Sequence, residues 1–228
     1  MIFALYCDIL IWYVKTEKER GKSGFDMIFG RKSKDFSSAA IDAVIVGLGN
    51  PESKYDRTRH NAGFMAIDRL CEKYDVRLSK MKFKAIYNTA DISGMRVLLV
   101  KPQTYMNNSG ESVSEILRFY KIGLDKLIVL CDDISLDVGK LRIRRKGSDG
   151  GQKGLRSIID LVGSQDFTRI KIGIGNKPNP EYNLADWVLS HFTDNELETL
   201  DTALNNAASA AVMIAGGNID RAMNKYNS

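Results

Sequence analysis

From Ala43 onward, apolar runs and 3.6-residue periods take turns along the chain. Val44-Ile45-Val46 is a β-branched run that stops at Gly47, as a strand buried on both faces does. After a loop, Phe64, Ile67, Leu70, Cys71 and Tyr74 recur at helical spacing. Residues 85–91 and 95–100 read as two strands, with Ile92-Ser93-Gly94 as the turn of a hairpin. Val113, Ile116, Leu117 and Tyr120 predict a second helix, with Asn108 or Ser109 as its N-cap. Residues 127–131 form another apolar run, and 141–145 alternate apolar with basic residues, as a strand with one exposed face does. Leu155, Ile158, Ile159 and Val162 mark a third helix, and 170–174 a further strand. The alanine-rich stretch 194–215 predicts a long helix ended by Gly216-Gly217, with a short helix after it. Strands mixed with helices and one hairpin predict an α/β fold: a single α/β/α domain with a mixed twisted sheet flanked by helices.

Residues 1–42 do not share this order. The first fourteen are strongly apolar but interrupted by Asp8, and polar residues and the basic Arg31, Lys32 and Lys34 follow. A spanning helix needs about 20 apolar residues, and a secretory signal needs a positive start and a small-residue cleavage site. Neither pattern is present. Residues 1–42 are therefore read as an N-terminal extension outside the fold, with Met27 as a candidate translation start, and residues 43–228 as the domain. A peripheral apolar anchor is the alternative for the extension, although no membrane partner is expected.

Composition narrows the classes. With 228 residues, 44% apolar and 27% charged, the chain is globular rather than wholly disordered. Cys7, Cys71 and Cys131 include no C-x-x-C, which speaks against a disulfide framework and a cysteine zinc site and for a reducing, cytoplasmic setting. Two histidines, His60 and His191, are too few for a multi-histidine metal site. The net charge of +5 admits a nucleic-acid partner without demanding one.

Four segments carry candidate chemistry. Gly47-Leu48-Gly49-Asn50-Pro51 follows the first strand, but position 52 is glutamate where a dinucleotide fingerprint needs a third glycine, so nucleotide binding is disfavoured. His60 stands just before the first helix, whose positive end should keep the imidazole neutral and able to act as a base. Asp132-Asp133 closes the strand at 127–131; if that strand runs parallel to the first, the aspartates and His60 meet at one sheet edge, otherwise they merely cap a turn. The third segment, Lys101 to Gly110, is rich in amides and hydroxyls and leads into a helix. The fourth combines Lys140, Arg142, Arg144, Arg145 and Lys146 with a glycine-rich turn ahead of Lys153, which suits phosphate.

Taken together, these residues resemble the bacterial-type peptidyl-tRNA hydrolases. The matching pieces are Val44 through Pro51, Tyr55 with Thr58-Arg59-His60-Asn61-Ala62-Gly63, Lys101 through Gly110, Asp132-Asp133 with Gly139-Lys140, Gly150-Gly151 with Gly154 through Ile159, and Phe167 through Gly175. The resemblance implies cleavage of the ester between a peptide and the 3′ end of tRNA by a cytoplasmic monomer without metal or cofactor. It makes His60 the general base, Asp132 its orienting carboxylate and Asn50 the residue that distinguishes N-blocked from free aminoacyl-tRNA. Tyr55, Tyr105, Met106, Asn107 and Lys153 fall where the family meets the peptide or tRNA end. Arg142, Arg144, Arg169 and Lys171 match its acceptor-stem positions. Glu52 replaces the family's usual glycine, and Gln152-Lys153 its usual His-Asn. The rival reading is a non-hydrolytic RNA-binding homologue, against which the joint presence of His60, Asp132 and Asn50 argues.

Overall fold

The computed structural model describes residues 40–227. The expected extension, apart from its last three residues, lies outside them, as do Cys7 and Met27. The fold begins slightly earlier than the pattern implies. Ile41 is buried in the core, and Asp42 exchanges hydrogen bonds with the Arg96 backbone, so these two residues belong to the domain.

Seven strands form one mixed sheet in the order β2-β3-β4-β1-β5-β7-β6. They are β1 (Ala43–Gly47), β2 (Lys80–Lys82), β3 (Ala85–Ile92), β4 (Met95–Pro102), β5 (Leu127–Asp133), β6 (Leu141–Arg144) and β7 (Thr168–Gly173). Among the described residues six α-helices accompany them: α1 (Ala62–Lys73), α2 (Ser109–Tyr120), α3 (Lys153–Val162), α4 (Leu184–Leu189), α5 (Asp194–Ala215) and α6 (Ile219–Tyr226). β1 lies between β4 and β5 and is parallel to both, with Ile45 opposite Leu99 and Ile128. That central place explains why every residue of β1 is buried and apolar.

Side chains of a strand alternate between faces, and the core divides accordingly. Ile45, Leu99, Leu130 and Ile172 face a layer made of α1, α5 and α6. Val44, Val46, Leu98 and Val129 face α2 and α3 through Val113, Ile116, Leu155 and Ile158. The α/β/α expectation holds. Alanines 203, 207, 208, 210 and 211 of α5 are all buried, so the long helix lies close to the sheet. A capping box between Thr193 and Glu196 starts it. Two elements were not expected from the sequence. β2 is three exposed residues paired to β3, and α4 is a short helix capped by the Asn183 side chain. Asn108 does occupy the N-cap position of α2, but its side chain makes no cap bond. Because β1, β4 and β5 are parallel, their C-terminal ends open on one edge, where the loops after β1, β4 and β5 converge.

Candidate active site

A cavity of about 530 Å³ opens at that edge. Asn50, His60, Tyr105, Met106, Asn107, Asp132, Lys153 and Lys171 all line it. Eight of the twelve expected site residues are thus brought together from six separate stretches of chain.

The dyad is built by backbone zipping. Leu48 donates its N–H to Leu130 O at 2.9 Å, and Phe64 donates its own to Leu48 O at 3.1 Å. The loop after β1, the end of β5 and the start of α1 are thereby held as one unit. His60 sits in the 3-10 turn Arg59–Asn61 that leads into α1. Its Nδ1 lies 2.8 Å from Asp132 Oδ2. A carboxylate can only accept, so Nδ1 carries the proton and Nε2 keeps its lone pair. Both side chains are almost wholly buried.

The helix-end argument for a depressed His60 pKa does not hold. Burial is the largest influence and does work against the imidazolium. The Asp132 charge and its hydrogen bond outweigh it, and nearby Lys153 pulls only partly back, so the pKa lies above the ordinary 6.5. An adjacent full charge beats a helix end worth about half a charge.

Asn50 is fixed just as firmly. Its backbone N–H donates to Asn61 Oδ1 at 2.8 Å, and Asn61 Nδ2 returns a bond to Asn50 O at 3.0 Å. Its Oδ1 accepts the Met106 N–H at 2.9 Å. A backbone N–H can face only the oxygen of the amide, so the orientation of the group is settled. Nδ2, a donor without a partner among the described residues, is what Asn50 retains for the cavity. Asn61 was part of the recognised motif, but its part as a clip between the two loops needs the three-dimensional pairing to be seen.

The segment before α3 supplies the third wall. Gly150 and Gly151 both take positive φ, and Asp149 Oδ1 accepts the Gly151 N–H at 2.6 Å. Gln152 caps α3, and Lys153 is its first residue. Lys153 has no ion-pair partner among the described residues. Lys171 does: its Nζ lies 2.7 Å from Asp133 Oδ2. Burial opposes the Asp133 charge, but Lys171 and Ser135 more than offset it and hold the carboxyl below its ordinary range. Ile134, Leu184, Ala185, Val188 and Leu189 give the cavity an apolar side. α4 carries four of these five and could not be anticipated from so short a period. Arg59 anchors that helix beside the dyad. Its guanidinium lies 3.8 Å from the Trp187 ring centre and donates to Ile174 O, Ser190 Oγ and Glu196 Oε2.

Four expected residues lie elsewhere. Tyr55 ends a 3-10 turn outside the cavity wall, its ring beneath Lys54 Nζ. Arg142 and Arg144 stand on edge strand β6, opposite Lys171 and Arg169 of β7, all on one face of the sheet. Arg169 departs from the expected stem contact. It is 1% exposed, and its guanidinium is spent on the carbonyls of Gly147, Ser148 and Gln165. It holds the loop before α3 instead of reaching solvent. Tyr105, by contrast, lies over the cavity with its hydroxyl donated to Glu52, which also pairs with Lys54. Glu52 thus serves as a strut for Tyr105 where a glycine could offer none.

The model of the family described as peptidyl-tRNA hydrolase matches residues 44–228. The chain belongs to the peptidyl-tRNA hydrolase family. It is 52% identical to a peptidyl-tRNA hydrolase of Agathobacter rectalis over 185 residues, 81% of this chain and 99% of that protein. It is 48% identical to one from Caldicellulosiruptor bescii over 187 residues, 82% of this chain and 97% of the other. Among solved structures, the peptidyl-tRNA hydrolase of Acinetobacter baumannii superposes with a TM-score of 0.77 at 36% identity, covering 84% of this chain and 97% of that one. The matched span contains every residue of the cavity. No helix among the described residues is long and apolar enough to cross a membrane. Cys71 and Cys131 are free thiols, both with pKa raised by burial.

Proposed function

We propose that the cavity holds the ester linking peptide to tRNA, and that His60 hydrolyses it by drawing a proton from a water molecule. The observation that carries this reading is the buried His60–Asp132 pair in the cavity wall, with Nδ1 engaged by the carboxylate. Asp132 fixes the tautomer and stabilises the imidazolium that forms as water attacks. Residues 41–228 are taken as the hydrolase domain, acting in the cytoplasm as a monomer.

Asn50 supplies substrate choice in this account. Its free Nδ2 donor suits the carbonyl of a peptide bond next to the ester. A free aminoacyl-tRNA offers an ammonium there, which a donor repels. Asn107, exposed at the cavity rim, and Tyr105 extend the grip on the substrate's end. The test is to present N-acetyl-aminoacyl-tRNA and the same aminoacyl-tRNA unblocked. The expected outcome is rapid release of the first and little of the second; equal rates would remove the assignment of Asn50.

The basic face has a separate duty. Arg142 is partly exposed, Arg144 exposed, and neither has an ion-pair partner among the described residues. Contacts from such side chains to phosphates are indifferent to sequence, which suits an enzyme that meets many tRNAs. Arg144→Ala should weaken several tRNAs alike and flatten log affinity against log salt by roughly one unit or less, with the melting temperature unchanged. Arg169→Ala should instead lower the melting temperature and free the loop before α3, because three carbonyls lose their donor. Filter binding across a salt series with a thermal melt on each variant separates the two.

A further inference from the structure

We propose that Gln152 is a positioning residue for the reaction, its side-chain amide joining the N-terminus of α3 to Asp132 and holding that carboxylate square to His60. The inference rests on the reading of His60 as the base. Gln152 Oε1 accepts the Leu155 N–H at 2.7 Å, which caps the helix. That bond fixes which end of the amide is oxygen, and so aims Nε2 at Asp132 Oδ1, 2.9 Å away. Both Asp132 oxygens are then occupied, Oδ2 by the imidazole and Oδ1 by the amide. A carboxylate held at both oxygens cannot turn about its own bond, and the imidazole it carries is held with it.

Capping alone does not explain this residue. Short side chains such as serine, asparagine and aspartate are the favoured caps. Glutamine is longer, and the extra length is what lets one group reach the helix and the carboxylate at once. Nε2 also lies 3.1 Å from Met106 S, while the Met106 N–H holds Asn50 Oδ1. Gly154 keeps this contact close, since a Cβ there would sit 2.6 Å from Met106 S and 3.1 Å from Gln152 Oε1. The base, its carboxylate and the residue proposed for substrate choice are thus tied through a single amide. A second consequence is electrostatic. An N–H donated to Asp132 disperses negative charge that would otherwise hold a proton on His60, and an amide does so at every pH because it does not titrate. The charged groups around His60 are Asp132 and Asp133 at the end of β5, Lys171 on β7, and Asp149 and Lys153 on either side of the turn before α3.

Gln152→Glu tests this sharply, since it keeps an oxygen for the cap and turns the donor toward Asp132 into an acceptor. The imidazole signal of His60 is followed by NMR through a pH titration, with His60→Ala providing its assignment against His191, the one other histidine. The titration and the acid limb of kcat/KM should both move up by roughly one pH unit, so that turnover at a fixed pH on that limb falls about tenfold, with the melting temperature near that of the parent. Gln152→Ser offers a good cap too short to reach Asp132; kcat at the pH plateau should fall while KM holds. If both variants keep the parent's His60 titration and plateau kcat, Gln152 is a helix cap and the proposal is overturned. The NMR arm reads His60 without using activity, so it stands apart from whether His60→Ala abolishes hydrolysis.

Discussion

His60→Ala should lower hydrolysis of N-acetyl-aminoacyl-tRNA by roughly 10²- to 10⁴-fold, the span typical of one lost general base. Affinity for tRNA should change little, because the basic side chains Arg142, Arg144 and Lys153 remain. Single-turnover hydrolysis and filter binding on the same preparation check both halves. Wild-type turnover in the variant would make His60 structural. Asp132→Asn should also cut the plateau rate, since an amide can offer Nδ1 the wrong partner. It should shift the acid limb downward as well, because the charge that raises the His60 pKa is gone.

The second large effect concerns Gly63, three residues past the base. A Cβ there would collide with Leu130 O and come within 2.5 Å of Leu48 N and 2.6 Å of Leu48 O. Gly47 faces it with the same intolerance, a Cβ at that position standing 2.6 Å from Ile67 Cγ1. All three atoms near Gly63 are backbone and cannot turn aside. Gly63→Ala gains about 1 kcal/mol of helix propensity. The forced separation of α1 from β1 and β5 costs more, about 3 kcal/mol. The net of about 2 kcal/mol should lower the melting temperature by roughly 4–8 °C. Turnover should fall further than stability alone explains. α1 carries the His60 turn, and a shift near 1 Å at a reacting group can cost on the order of 10²-fold. Thermal melts and kcat at a temperature where the variant is fully folded measure the two effects separately. A variant with parental melting and turnover would show that the helix can slide without cost.

Much of this arrangement can be read from residues alone, for identifiable reasons. β1 and the first five residues of β5 are apolar because the sheet centre is covered on both faces, and such runs are hard to mistake. The helices α1, α2 and α3 show their period because each lies on the sheet with one face. β2 and α4 escape notice because three exposed residues and six residues respectively carry too little period. The site divides in the same way. His60, Asp132 and Asn50 stand beside strand ends that a parallel sheet must bring together. Asn61, Arg59 and Gln152 act through partners 11 to 137 positions away, which no local spacing reveals. Arg169 shows the opposite failure. An alternating basic strand gives no sign that one of its arginines is consumed by three carbonyls in the interior.

General-base catalysis here requires that the group controlling the rate be the His60 imidazole. The decisive measurement is the pH dependence of kcat/KM for N-acetyl-aminoacyl-tRNA, set beside the NMR titration of His60 in the same protein. The rate should rise with pH as His60 loses its proton. The kinetic pKa should match the titration and lie above 6.5, because the Asp132 charge and hydrogen bond outweigh burial. A rate that stays flat through the His60 titration, or that follows a pKa well away from it, would contradict the mechanism.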